Sequence, residues 1–358
     1  MKHQYNRIQS KERNGISFPG WITALLIAGL MVTGAITGCQ SPPASDSGVP
    51  GEPLQAVTLV LDWVPNTNHT GFYSAAAMGY FAEEGLEVEI IQPTHGGSAD
   101  LIAAGQGEFG ISYQEQVTYA RTAADPLPIK AIAAIIQHNT SGFASPASKG
   151  IEHPGDFEGK TYGGWGSPVE EAMLQALMTS DGGDFSQVEM MSIGTADFFD
   201  AVENHVDFTW IYYGWDGIAA ELRDYDINFI LLQDYVPALN FYTPALITSE
   251  KLIDEEPELV QAFVRASARG YQFAMQQPEE AAAHLLAAVP ELDEAMVVAS
   301  QQYLAQQYQA DAPRWGEMKL SVWEDYAHWM FQQGLLENQL DASAAFTNAY
   351  LPEAGDIK

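Results

Sequence analysis

From residue 57 onward, short runs of apolar, β-branched and aromatic residues alternate with longer stretches whose apolar positions recur every three or four residues. The first pattern suits strands and the second suits helices buried along one face. TLVLDW (58–63), LEVEIIQ (86–92), FGISY (109–113) and IKAIAAIIQH (129–138) read as strands. GFYSAAAMGYFAEEG, SADLIAAG and QEQVTYARTAA read as the helices between them, with Gly85 suited to end the first. A run rich in Ser, Pro and Gly over 139–155 then breaks the alternation. Beyond it KTYGGW, VEMMSIG, VDFTWIYY and INFILLQ read as strands, with PVEEAMLQALMTS, ADFFDAVEN and DGIAAELRDY as helices. From Ser249 to about Leu340 the pattern is almost entirely helical.

Alternation of this kind predicts α/β layers around mostly parallel sheets. Two similar blocks, linked near 139–150 and 238–248 and followed by helices, predict two lobes joined by two crossovers, with a cleft between them. One lobe comprises 55–140 plus 245–358, and the other 141–244.

The first residues read as a targeting segment. Lys2, Arg7, Lys11 and Arg13 precede an apolar stretch, Trp21 to Ile36, which is short for a membrane span of about 20 residues. It runs into ITGC, with small residues directly before Cys39, and resembles the lipobox of bacterial lipoproteins. On that reading 1–38 is a signal peptide, Cys39 is the lipidated first residue, and 39–54, rich in Pro, Ser and Gly, is a flexible tether. The protein is then held on the extracytoplasmic face of a membrane. Cys39 is the only cysteine, so none remains for a disulfide, a thiolate metal site or a nucleophile.

Charge narrows the partners. With 47 acidic residues against 15 basic ones, the formal charge is −32, and nucleic acid is an unsuitable partner. Five polar clusters fall at strand-to-helix junctions, where open α/β sheets bind ligands. Asp62, Trp63, Asn66, Asn68 and His69 follow the first strand; Thr94, His95, Gly96 and Gly97 follow the second; Tyr113 and Glu115 follow the third. In the second block GGWGSPVE supplies Trp165, Ser167 and Glu170, while WIYYGWDG supplies Tyr212, Tyr213, Trp215 and Asp216. None of these clusters contains Lys or Arg, which argues against an anionic ligand. Aromatic faces with Asn, Asp and Glu fit an uncharged or weakly basic heteroaromatic ring. Ser167 reads equally as a helix cap, and Trp63, Trp210 and Tyr212 as core aromatics. GDFEGKT is one residue short of a phosphate loop, and no nucleophile elbow or spaced histidine pair occurs. No catalytic residue, metal site or cofactor is expected.

LDWVPNTNHTGFY, GYFAEEGLEVEI, FGISYQE and DFEGKTYGGWGSPVEEAM resemble the periplasmic-binding-protein branch that includes thiamine-pyrimidine-precursor-binding proteins, related to fungal-type pyrimidine phosphate synthases. The resemblance covers about 55–350. It implies a type II two-lobed fold and a monomeric solute-binding component that delivers a ligand to an ABC permease and its ATPase. The implied ligand is a thiamine-related (formylamino or hydroxymethyl) pyrimidine, with riboflavin as the alternative. A ligand-sensing lipoprotein is a reading of another class. The synthase activity is disfavoured: where that enzyme carries a cofactor-binding Lys and a substrate-donating His, this chain has Ser112 and Gln116, and it lacks the cysteine-rich iron segment.

Overall fold

The computed structural model describes residues 53–93, 97–194 and 196–353. The leader, Cys39, most of the tether, and Thr94, His95 and Gly96 lie outside the described residues. Among the described residues no helix is long and apolar enough to cross a membrane.

The chain first forms β1 (Gln55–Val60), α1 (Thr70–Ala77), α2 (Tyr80–Glu83), β2 (Leu86–Ile91), α3 (Ser98–Ala103), β3 (Phe109–Ser112), α4 (Gln114–Thr122) and β4 (Ile129–Ala134). It then builds β5 (Ser141–Pro146), β6 (Thr161–Gly164), α5 (Pro168–Asp181), β7 (Glu189–Ser192), α6 (Phe198–Asn204), β8 (Phe208–Tyr212), α7 (Ile218–Leu222), β9 (Ile227–Leu231) and α8 (Leu232–Tyr235). The return consists of β10 (Ala245–Ser249), α9 (Glu250–Glu255), α10 (Pro257–Gln276), α11 (Pro278–Ala288), α12 (Glu294–Leu304), α13 (Leu320–Gln332) and α14 (Ala342–Ala345).

Two five-stranded sheets result, ordered β2-β1-β3-β10-β4 and β7-β6-β8-β5-β9. Both have the same plan. Three parallel strands are followed by one antiparallel strand, which also pairs with the edge strand beyond it. Four of the five strands in each sheet run the same way, in line with the expectation of mostly parallel sheets, but each sheet also contains an interior antiparallel strand that the pattern missed. Those strands, β5 and β10, are the first elements after the two crossovers. β5 reads SGFASP and looks like a loop, yet all six residues are buried. Its small residues are needed: a Cβ at Gly142 would lie 2.3 Å from the Ile230 carbonyl oxygen of β9. The fourth predicted strand is also shorter than its apolar run, ending at Ala134 where the first crossover begins.

Helix α10 shows how the first sheet is covered. Pro257 opens it at a position where a missing N–H costs nothing. Leu259, Val260, Phe263, Val264, Ser267, Tyr271 and Ala274 recur at helical spacing and are buried. Phe263 stacks on Phe109 of β3 at 3.8 Å and 8°. Helix α13 does a different job, because Tyr326, Trp329 and Met330 join Phe143, Tyr162, Phe208 and Trp210 in the core beneath the second sheet.

The crossovers are knotted together by Asn139, which is fully buried. Its backbone N–H donates to Asn240 Oδ1 at 3.1 Å, and its Nδ2 donates to the Leu239 carbonyl at 2.8 Å. Its Oδ1 accepts from Ser141 N and Ser141 Oγ at 2.9 and 2.7 Å, while Gln233 donates to its carbonyl. Ile135 N–H donates to the Pro244 carbonyl at 3.0 Å, adding a direct bond between the two segments. Asn139→Ala strands the buried Ser141 N–H and the Leu239 carbonyl, each worth about 1–3 kcal/mol when left unpaired. We expect urea unfolding to show a loss of roughly 2–4 kcal/mol; a loss below about 0.5 kcal/mol, the usual size for a neutral surface change, would contradict this account of the hinge.

Candidate functional site

The loop after β1 folds on itself. Asn66 Oδ1 accepts from Asn68 N–H at 2.9 Å, and Asn66 Nδ2 donates to the Val64 carbonyl at 3.0 Å. Asn66 N–H donates to His69 Nδ1 at 3.2 Å, closing a capping box over one 3₁₀ turn. His69 is fully buried and its Nε2 lies 2.7 Å from Asp62 Oδ1. The C-terminal helices and their connections hold the loop from behind: Tyr308 donates to the Thr67 carbonyl and Tyr271 to the Asn68 carbonyl, each at 2.6 Å. Most of the loop's polar groups therefore serve the loop itself. Asp62, Asn68 and Trp63 face outward to differing degrees, and Trp63 is 55% exposed.

Asp62 borders a cavity of about 510 Å³ with Ser98, Ser112, Tyr113, Gln116 and Tyr119. It lies beyond the carboxyl ends of β1 and β3, and among the described residues no Lys or Arg lines it. Burial opposes the charge on Asp62, but the His69 hydrogen bond and the Tyr113 hydroxyl outweigh it and hold the carboxyl below its ordinary value. Burial, with Asp62 and Tyr212 nearby, pushes the Tyr113 hydroxyl far up. One residue into α4, Glu115 is pushed from 4.5 to about 7, first by burial and then by the charge of the Glu170 carboxylate.

Glu170 itself is turned inward and fully engaged. It is 1% exposed and accepts from the Gly166 and Ser167 N–H groups at 2.9 and 2.8 Å, from Trp165 N–H at 3.3 Å, and from the Tyr162 hydroxyl at 2.6 Å. Ser167 is the N-cap of α5 and Glu170 completes its capping box. Gly164 is what lets this carboxylate tuck under the loop, since a Cβ there would lie 2.2 Å from Glu170 Oε1. The GGWG segment is thus a scaffold around one carboxyl group. It presents Trp165, half exposed, which stacks on Trp210 at 5.2 Å; Trp210 stacks in turn on Tyr212 at 6.2 Å.

Alternation at the end of β8 separates two neighbouring tyrosines. Tyr212 turns toward Thr243, Glu115 and Asp62, and burial pushes its hydroxyl up to about 12. Tyr213 turns the other way, donating to Glu221 at 2.5 Å and packing on Phe229 and Tyr303. It stands apart from the group around Glu115. Tyr213–Gly217 continue as one π-helical turn, a rare form found often at functional sites. Trp215 and Asp216 sit half-buried on that turn, and Asp216 is pushed up to about 6 by burial and by Asp197.

The two loops are joined through a residue that the pattern did not flag. Ser300 of α12, fully buried, donates to the Gly214 carbonyl and stands 2.6 Å from Thr67 Oγ1. Because Ser300 already donates to Gly214, Thr67 donates to Ser300, giving a hydroxyl chain from the first loop to the π turn. Trp210, passed over as a core ring, is the middle of the aromatic ladder. Tyr326 of α13 was also missed; its buried hydroxyl has no partner among the described residues and lies in the field of Glu115, Tyr119 and Tyr212. Its only sequence signal is an aromatic on an amphipathic helix, indistinguishable from ordinary core. The structure brings Asp62, Tyr113, Glu115, Tyr212 and Tyr326 into one mutually interacting group drawn from both sheets and from α13. Among the described residues no group of His, Cys, Asp or Glu is arranged to hold a metal.

A formylaminopyrimidine-binding protein of Halalkalibacterium halodurans is 31% identical over 337 residues, covering 91% of this chain and 98% of that protein. The riboflavin-binding protein RibY of Chloroflexus aurantiacus is 27% identical over 369 residues, covering 92% and 97%. Among solved structures, the periplasmic aliphatic sulphonate binding protein SsuA of Escherichia coli matches with a TM-score of 0.61 over 85% of this chain and 96% of that one, at 12% identity. That last likeness is one of fold, the two-lobed periplasmic-binding-protein fold. The family model described as NMT1/THI5 like matches residues 66–281. With two lobes, a cleft lined by acceptors and aromatics, and this extent of similarity, the chain belongs to the NMT1/THI5-like family.

Proposed function

We propose that this protein is the extracytoplasmic solute-binding component of an ABC importer, and that its ligand is a thiamine-related aminopyrimidine of the formylamino type. The observation that carries the reading is the chemistry of the cleft. Carboxylates and tyrosine hydroxyls converge at Asp62, Tyr113, Glu115 and Tyr212, with no Lys or Arg lining the cavity among the described residues. Such a lining suits a ring that donates N–H bonds, and it disfavours a sulfonate or phosphate. Similarity to the formylaminopyrimidine-binding protein supports the same ligand class.

In this reading the Trp165–Trp210–Tyr212 ladder offers one aromatic wall and Trp63 the other. Asp62, Asn68, Glu115 and Asp216 read the ring edge. Asn66, His69 and Glu170 shape the loops, and Tyr213 braces the π turn. Lipidation at Cys39, a monomeric state and docking to a permease with its ATPase complete the proposal. Catalysis is not part of it, in keeping with the similarity to the formylaminopyrimidine- and riboflavin-binding proteins. Riboflavin is the second reading, favoured by the similarity to RibY.

Calorimetric titration of the tether-free protein separates these readings. Saturable one-to-one binding of formylaminopyrimidine without binding of riboflavin is expected. Binding of riboflavin alone would select the second reading, and binding of neither would overturn both.

Trp63 gives a sharper test, since it is 55% exposed and contributes little to the core. Trp63→Ala is expected to change stability by no more than about 0.5 kcal/mol while weakening ligand binding at least about tenfold. Equal loss of both would return Trp63 to a structural role.

The pH dependence of stability tests Glu115. Its acidity is weakened on folding, from 4.5 to about 7. The unfolded chain therefore releases this proton first as pH rises, and stability falls across that window. Glu115→Gln lacks the titration, so the stability of the variant relative to the parent should rise between pH 4.5 and about 7 and level off above it. A flat difference would show that Glu115 ionises normally.

A further inference from the structure

His69 sits between two constraints. On one side its Nδ1 accepts the Asn66 N–H at 3.2 Å, so that nitrogen carries no proton. On the other, Nε2 lies 2.7 Å from Asp62 Oδ1 and must be the donor. The ring is therefore in its neutral Nε2–H form, and its orientation is locked at both ends. It is wholly enclosed, whereas Asp62 reaches the cavity. This is the arrangement in which an inner residue fixes the direction of an outer one.

We propose that His69 is a positioning residue for the ligand site: its Nε2–H holds the Asp62 carboxylate as a fixed acceptor facing the cavity, and its Nδ1 ties that acceptor to the turn at Asn66–His69. Oδ1 is taken by His69, and the Tyr113 hydroxyl acts on the same carboxylate. Asp62 also borders the cavity, so the acceptor capacity left on this carboxylate suits a ligand bearing an amino or ring N–H group there. This deepens the proposed function and rests on it for the identity of the ligand. It does not rest on it for the His69–Asp62 relationship.

The two nitrogens of His69 can be replaced separately. Asn places its amide near the Nδ1 position and can keep the bond from Asn66 N–H, but it cannot reach Asp62. Gln reaches the Nε2 position and can donate to Asp62. Leu does neither. His69→Asn, His69→Gln and His69→Leu are to be compared by urea unfolding, by calorimetry with formylaminopyrimidine, and by carbon NMR titration of the Asp62 carboxyl.

The groups facing Asp62 are His69 and Tyr113 in contact, with Tyr212 and Tyr271 further off and Glu115 beyond Tyr113. The tyrosines are all pushed upward in pH, and Glu115 titrates near 7, so the Asp62 midpoint reports on His69. His69→Asn should fold with most of its stability, lose about tenfold or more in affinity, and show a raised Asp62 midpoint. His69→Gln should keep affinity within about threefold and keep the midpoint low.

If His69→Asn binds like the parent with an unmoved midpoint, or if His69→Gln is as impaired as His69→Leu, the proposal fails. Should the variants not fold, nitrogen NMR of the parent decides. A proton on Nε2 with a bare Nδ1 supports the assignment, and a proton on Nδ1 overturns it. Failure of the parent to bind formylaminopyrimidine would overturn the proposed ligand alone, since the carboxyl titration and the nitrogen spectrum need none.

Discussion

Two lobes built from separate sheets have a shared cleft only if the chain segments passing between them keep a defined geometry. Here that geometry rests on a small hydrogen-bonded knot in which one buried amide, Asn139, joins both crossovers. Every polar atom of that side chain is used, which is the condition for burying an amide at little cost. From this knot each crossover runs straight into the antiparallel strand of a sheet, β5 on the outward path and β10 on the return. The matching strand orders of the two sheets, and the meeting of their carboxyl ends at one cleft, follow from that.

Behind the cleft, the helical return supplies more than cover. Tyr271 and Tyr308 hold the carbonyls of the first loop, Ser300 links that loop to the π turn at Gly214, and Tyr326 reaches the same group of side chains from α13. Loop positions that would otherwise be soft are thereby set by packed helices, which is how a site is held to within a fraction of an ångström. The electrostatics follow the same division. Glu170 is saturated by three backbone N–H groups and a hydroxyl and serves as a structural carboxylate. Glu115, one sheet away and without such donors, feels that charge and holds its proton to about pH 7.

The polar junctions were legible in the chain as places, though not as roles. LDWVPNTNH announces a loop dense in hydrogen-bonding groups after a strand, and GGWGSPVE announces a capped helix after another. Which of those groups face a ligand is a matter of rotamer and direction. Asn66 and His69 close a turn, Glu170 closes a loop, and Tyr213 points away from its neighbour Tyr212. One strand was illegible for the opposite reason. SGFASP is too small and too polar to look like a strand, yet it lies inside the sheet between β8 and β9, and its smallness is what lets β9 approach.

By itself, then, the sequence determined the α/β class, the division into two similar blocks, the position of each strand-to-helix junction, and the absence of Lys and Arg from the clusters there. These are properties of periodicity and composition, which act over a few residues. Only the tertiary structure decided which strand enters each sheet antiparallel, that Ser300 from the far helical region joins the two loops and Tyr326 nears Glu115, and that Glu115 feels the Glu170 carboxylate. Those outcomes join residues tens to hundreds of positions apart. Such contacts depend on how whole layers pack against each other, and local sequence carries no record of them.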